Sequence, residues 1–126
     1  MKKKIFGAGL ILLAGFAISF FYFYATSRVD ESVILKPVER AGKWGFADLK
    51  GKEVISPRYD EAGFFAKGLA GVRLGGKWGF VDKTGRLVIK IQYDEAGFFS
   101  KGSAKVRIGD QWFFIDKSGN RVFNQK

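Results

Sequence analysis

The chain has 126 residues, with 22 Lys and Arg against 12 Asp and Glu for a formal charge of +10, and it contains neither histidine nor cysteine. It therefore lacks the usual general base, the thiol nucleophile and the nitrogen and sulfur ligands of zinc, and neither a disulfide framework nor a cysteine-linked lipid anchor can be built. Once an apolar N-terminal segment is set aside about 102 residues remain, enough for one small domain and no second.

The first element is membrane-directed. Residues 1–4, with Lys2, Lys3 and Lys4, precede twenty uncharged residues from Ile5 to Tyr24. As a helix that segment is long enough to cross a hydrocarbon layer of ~30 Å. It exceeds the core of an ordinary signal peptide, roughly 7 to 15 residues. The run Phe20 to Tyr24 supplies an aromatic belt at the far interface. The spacing predicts one transmembrane signal-anchor over 5–24; the alternative is a cleaved signal peptide, cut after Ser27, that yields a secreted binding protein. Three lysines before the span, against Arg28, Asp30 and Glu31 after it, predict a cytoplasmic N-terminus and an exported C-terminal part, periplasmic or extracellular. Gly15 and Ser19 form a small-residue pair through which two helices could approach. A linker over 25–36 follows, too short to hold the next domain far from the bilayer.

From Pro37 onward the chain is a repeat. Trp44, Trp78 and Trp112 recur every 34 residues, each within a phrase of one pattern: Lys43 to Asp48, Lys77 to Asp82 and Gln111 to Asp116. Gly51, Gly85 and Gly119 keep the register, and Tyr59-Asp60-Glu61-Ala62-Gly63-Phe64-Phe65 returns as Tyr93 to Phe99. Such a period predicts one supersecondary unit copied about two and a half times over 37–126 and stacked, with atypical copies as caps. What recurs is read as scaffold, so binding chemistry is expected where the copies differ.

At these residues the chain resembles the WG-repeat family, bacterial repeats built around the phrase Gly-Lys-Trp-Gly-Phe-Ile-Asp; Gly76 to Gly85 is nearly that pattern. The resemblance implies a repeat scaffold and no common reaction, and it brings no catalytic residues with it. Two departures stand out: Lys67 and Lys101 replace an acidic residue often found before Gly-Leu-Ala, and Phe113 replaces the Gly of the third Trp-Gly pair, which points to a terminal cap.

Within the middle copy, strands are predicted over Leu69–Leu74, Lys77–Asp82 and Arg86–Ile89. Gly75-Gly76 is read as a two-residue hairpin loop requiring positive φ, and Asp82 to Gly85 as a type I turn closed by a left-handed glycine. Across that hairpin Val72 faces Gly79 and Arg73 faces Trp78. One face then collects Ala70, Val72, Leu74, Val81, Leu87 and Ile89, the other Trp78, Phe80 and Val88. A sheet apolar on both sides must stack on its neighbours, so the tryptophans are expected to be largely buried. The Tyr-Asp-Glu-Ala-Gly-Phe-Phe connector, including a helical turn, would supply part of the cover. The fold class is thus all-β, antiparallel hairpin or meander repeats in a short array preceded by one N-terminal transmembrane helix; fewer than three complete units argue against a propeller.

Candidate chemistry is sparse. Asp60-Glu61 and Asp94-Glu95 invite a glycosidase pair, yet neighbours in sequence do not flank one bond. Asp48, Asp82 and Asp116 invite calcium, yet each is a lone carboxylate opening a turn. The glycines near Gly75 lack the context of a phosphate loop. No cofactor, metal or catalytic residue is assigned. Without the three N-terminal lysines, 19 Lys and Arg still face 12 Asp and Glu. Lys67, Arg73, Lys101, Lys105 and Arg107 are expected to align as a basic stripe, joined by Phe64, Phe65, Phe98 and Phe99 as apolar contacts. Basic residues among aromatics also suit single-stranded nucleic acid, which an exported domain rarely meets. The expected function is a non-catalytic, membrane-anchored binding or scaffolding module of the bacterial envelope. Its expected partner is another envelope protein, or an anionic surface of lipid headgroups or cell-wall polymer. The rival is an envelope carbohydrate-active enzyme using the Asp/Glu pairs.

Overall fold

The structure, a computed structural model, describes residues 34–123; the expected membrane anchor over Ile5 to Tyr24 lies outside them. Among the described residues the fold is all-β, with antiparallel pairing throughout and no helix. The first sheet holds β1 (Lys36–Arg40), β2 (Lys43–Ala47) and β3 (Glu53–Tyr59). The second runs β4 (Glu61–Ala62), β5 (Ala70–Leu74), β6 (Lys77–Val81) and β7 (Leu87–Tyr93). In the third, β8 (Glu95–Ala96), β9 (Ser103–Ile108), β10 (Gln111–Asp116) and β11 (Arg121–Val122) repeat that order. The first strand opens at Lys36, one residue before the expected edge of the repeat domain.

Each Tyr-Asp phrase is the crossing between sheets. Tyr59 ends β3 and Glu61 opens β4, so Asp60 alone separates them; Asp94 does the same between β7 and β8. The connector is therefore extended, where a helical turn was expected. Its backbone is spent on the next sheet, Gly63 N–H donating to the Gly71 carbonyl at 2.8 Å and Gly97 N–H to that of Lys105 at 2.8 Å. A helical turn would forfeit those bonds.

The hairpins follow the sequence reading closely. Val72 pairs with Gly79 and Arg73 with Trp78, and the loop residues Gly75 and Gly76 have φ of 62° and 87°, the combination a two-residue type I′ turn requires. At the next turn Gly85 N–H donates to the Asp82 carbonyl at 3.0 Å and Asp82 N–H to that of Arg86 at 3.0 Å. The Asp82 carboxylate also accepts from the Thr84 amide and hydroxyl at 2.9 and 2.6 Å and from the Arg86 amide at 3.1 Å. Asp48 and Asp116 repeat the arrangement on their own turns, so these carboxylates act as turn formers.

The third strand of the middle unit, β7, departs from expectation. It runs on to Tyr93, and its register against β6 shifts twice: Trp78 pairs with Tyr93, Phe80 with Ile89 and Val81 with Leu87. The first shift sets Gly79 against the three residues Lys90 to Gln92, which arch over it. The second leaves Val88 unpaired and moves Ile89 onto the Phe80 face, correcting its expected place beside Val81 and Leu87. A bulge inverts the alternation beyond it, and a strict period of two cannot foresee that. Leu74 and Leu87, expected in the core, are 43% and 42% exposed.

Stacking then follows a head-to-tail rule. The face of the second sheet that carries Leu69, Phe80, Ile89 and Tyr93 packs on Ala104, Val106 and Ile115 of the third in one buried cluster. Phe99 closes over Phe80 with ring centroids 5.0 Å apart, and Phe65 over Phe46 at 4.8 Å. Burying each such ring contributes about 1.5–3 kcal/mol. Gly85 and Gly119 rest against Ile55 and Ile89 of the preceding sheet, at 3.4 Å from where a β-carbon would stand. The turn glycine thus serves stacking as well as the left-handed turn.

Candidate functional site

The expected surface divides into a structural and an available part. Phe99 is 2% exposed and Phe65 is half-buried against Phe46, so both leave the candidate surface. Each connector turns its second phenylalanine inward as a lid and its first outward. Phe64 and Phe98 are each 64% exposed.

The arginines are likewise engaged. Arg73 pairs with Glu61 at 3.0 Å and Arg107 with Glu95 at 3.3 Å, the cross-strand register setting each pair face to face. Their charge is offset locally, and the expected stripe contracts to Lys67, Lys101 and Lys105. Lys67 and Lys101 are exposed and hold left-handed φ of 55° and 54° at the first position of a tight turn. That conformation costs a residue with a β-carbon about 1–2 kcal/mol. Ala41 holds the same conformation, with φ of 53°, at the first position of the β1–β2 turn, so the turn sets this backbone and the lysine charges stand exposed upon it.

The acidic pairs are also occupied. Asp60 accepts from Lys43 Nζ at 2.7 Å and from the Gly75 amide at 2.9 Å; Asp94 accepts from Lys77 Nζ and, at 2.7 Å, from the Gly109 amide. Each aspartate ties the hairpin of its own copy to the hairpin loop of the next. The Lys43 ammonium first, then the Gly75 amide, holds the Asp60 carboxyl below the usual aspartate value, and Lys77 with Gly109 does the same for Asp94. Glu61 and Glu95 meanwhile face Arg73 and Arg107. The carboxylates within each pair hold different partners and do not converge on one cleft.

The last sheet differs from its predecessors. Trp44 and Trp78 are half-buried, whereas Trp112 is 52% exposed, against the expectation that all three would be largely covered. Trp112 and Phe114 share a face on which no further sheet of the described residues packs. Lys105 Nζ lies 5.1 Å and Arg107 Cζ 5.7 Å from the Trp112 ring centroid, distances that favour cation–π attraction. On the opposite face Phe113 packs edge-on against Tyr93 at 6.3 Å and carries Arg121 at 3.7 Å. The substitution of Phe113 for glycine has a direct reason: β11 is two residues long and pairs with Phe114 and Ile115, so among the described residues no strand arches over position 113.

An open concavity of about 420 Å³ lies on this last sheet and brings Phe98, Lys101 and Lys105 together with Phe114. Three of the nine expected surface residues thus meet in one place, while Phe64 and Lys67 occupy the corresponding place one copy earlier. Sequence reasoning missed Ser100, Ser103, Trp112 and Phe114. Aligning the copies position by position and noting where they differ would have found the two serines.

The 34-residue period, the glycine crossed by its neighbouring strand and the sheet-to-sheet crossing at Asp60 and Asp94 together define the repeat. No curated protein and no solved structure matches the chain. The family described as WG containing repeat matches residues 44–78 and 78–112, more than half of the sequence, and the chain belongs to that family.

Proposed function

We propose that the protein is a non-catalytic binding module of the bacterial envelope, anchored by its N-terminal apolar segment with the repeats outside the cytoplasm, and that it holds an anionic partner. One observation carries the reading: the face of the last sheet leaves Trp112, Phe114 and Lys105 available beside the exposed Phe98 and Lys101, while the matching face of the second sheet, with Leu69 and Phe80, is covered by the third. Exposed aromatics framed by cations serve recognition better than solubility, since a cap needed only to keep the array in solution would be polar. The rival reading, a carbohydrate-active enzyme, calls for two carboxylates converging on one bond, whereas Asp60 and Glu61 hold Lys43 and Arg73.

The test is retention and sedimentation of the full chain. After alkaline washing it should stay with the membrane, and a reporter fused after Lys126 should be exported. Solubilised in neutral detergent, it should co-sediment with isolated cell-wall material or phosphatidylglycerol vesicles in a salt-sensitive manner. A cytoplasmic reporter, or sedimentation indifferent to salt, would defeat this reading.

A further inference from the structure

The groove on the last sheet is built differently from its counterpart one copy earlier. Stepping back by 34 residues from Ser100, Ser103 and Lys105 reaches Ala66, Leu69 and Gly71. All three changes run from apolar or small to polar. In the second sheet Leu69 belongs to the buried cluster around Phe80, and a β-carbon at Gly71 would already touch the Trp78 ring at 3.4 Å and the Phe80 ring at 3.7 Å. Lys105 at that position fits a face built to stay accessible, because stacking another sheet on it would bury an ammonium without a carboxylate partner. Phe80 is accordingly 1% exposed, whereas its counterpart Phe114 is half-buried and lines the groove.

The groove combines three kinds of contact. Lys101 and Lys105 form no ion pair among the described residues, so their charge is available. The nearby acids are committed: Glu95 to Arg107 at 3.3 Å, and Asp116, paired across the strands with Ser103, to the Ser118 and Asn120 amides at 2.9 Å. Ser100 offers an exposed hydroxyl, and Ser103, 7% exposed, lies at the floor. Phe98 and Phe114 offer ring surface. A bare anion would use the lysines and leave the rings idle, and an apolar segment would leave the lysines and hydroxyls idle. A pyranose bearing an acidic group uses all three, since its axial C–H face suits an aromatic ring, its hydroxyls suit serine and its acid suits lysine. The size of about 420 Å³ falls in the range of small-molecule sites, roughly 300–1,000 Å³, and an open groove admits an internal unit of a polymer.

We propose that this groove is a binding site for an acidic sugar unit, a carboxylated or phosphorylated hexose borne on an envelope polymer. The proposal rests on the reading of the chain as an envelope binding module and names what one face of it recognises.

The experiment titrates the full chain, in neutral detergent, with an oligomer of galacturonic acid, a phosphorylated hexose polymer, neutral dextran of equal length, inorganic phosphate and phosphatidylglycerol vesicles. Binding is followed by calorimetry. The variant Ser103→Leu with Lys105→Gly restores the residues that the preceding copy carries at these places; Lys105→Gln serves if that pair disturbs folding. One of the two acidic sugar polymers should bind, with dextran at least tenfold weaker, and either variant should lose at least tenfold in affinity. Which polymer binds separates a carboxylate from a phosphate as the source of charge. Equal binding of dextran, inorganic phosphate binding as tightly as either polymer, or wild-type affinity in both variants would overturn the proposal. So would vesicle binding that is sensitive to the variants while neither sugar polymer binds. Variants that lose sugar binding yet keep their salt-sensitive association with cell-wall material or vesicles would uphold both the site and the broader reading; loss of membrane retention or export would strike the broader reading alone.

Discussion

The Ile89 carbonyl oxygen lies 2.6 Å from the point where a β-carbon on Gly79 would stand, and Ile91 N lies at 2.8 Å. Gly45 meets the Ile55 carbonyl in the same way, at 2.3 Å. The glycine of each Trp-Gly pair is thus required by the strand that arches over it, and the obstacle is backbone, which cannot rotate away. Gly79→Ala should destabilise the domain by at least the ~1–3 kcal/mol typical of overpacking. Chemical denaturation of the variant measures it, and a change below about 0.5 kcal/mol would contradict the packing argument. At Phe113, which no strand of the described residues arches over, replacement by alanine should instead cost only the lost contacts with Tyr93 and Arg121.

Neighbouring phenylalanines should respond very differently. Phe99 is a lid over Phe80, so Phe99→Ala should cost about 3–5 kcal/mol. Phe98 is 64% exposed, and Phe98→Ala should change stability by under about 1 kcal/mol while weakening binding in the groove. Comparable denaturation midpoints for the two variants would show the inward and outward assignments to be mistaken.

The period, the hairpin registers and the Asp-x-x-Gly turns were legible in the sequence because each depends on residues within a few positions of one another. Val72 opposite Gly79 follows from a two-residue loop and nothing more. The arch over Gly79 was not legible, since it is set by how far β7 must travel before crossing to the next sheet at Asp94. From it followed the unexpected length of the third strand, while the separate bulge at Val88 moved Ile89 to the other face. The site was half legible for a related reason: lysines and phenylalanines announce themselves by type, but which of Phe98 and Phe99 points outward is fixed by stacking between sheets. Trp112 and Phe114 were hidden by the repeat itself, because residues at recurring places were read as sharing one environment.

Acid should loosen the crossings between copies. Asp60 and Asp94 have folded pKa values below the ordinary 3.8, lowered first by Lys43 and Lys77 and then by the Gly75 and Gly109 amides. The stabilisation from each is therefore full above the unfolded value and lost as pH falls through the folded one. Stability measured from about pH 5 downwards should decline, and the double variant Asp60→Asn with Asp94→Asn should flatten that decline while lowering stability at neutral pH. An unchanged slope would place the acid sensitivity elsewhere, with Asp82 and Asp116 the next groups to test, since their carboxyls are also held low by turn hydrogen bonds.

Lys67 and Lys101 separate charge from conformation. Their left-handed φ makes a reversal to glutamate a poor probe, because it changes charge while retaining a residue ill-suited to the turn. Asparagine tolerates this region far better, so Lys67→Asn with Lys101→Asn should raise the melting temperature slightly, by the equivalent of a few tenths of a kcal/mol or more at each site. If the ammonium groups recognise an anionic partner, the same variant should bind cell-wall polymer or phosphatidylglycerol vesicles more weakly, and added salt should reproduce the loss in the wild-type chain through screening. A more stable protein that binds less well is the signature of strain kept for function. A variant that gains stability with binding intact would show the two lysines to be dispensable, leaving Lys105 as the cation on which recognition depends.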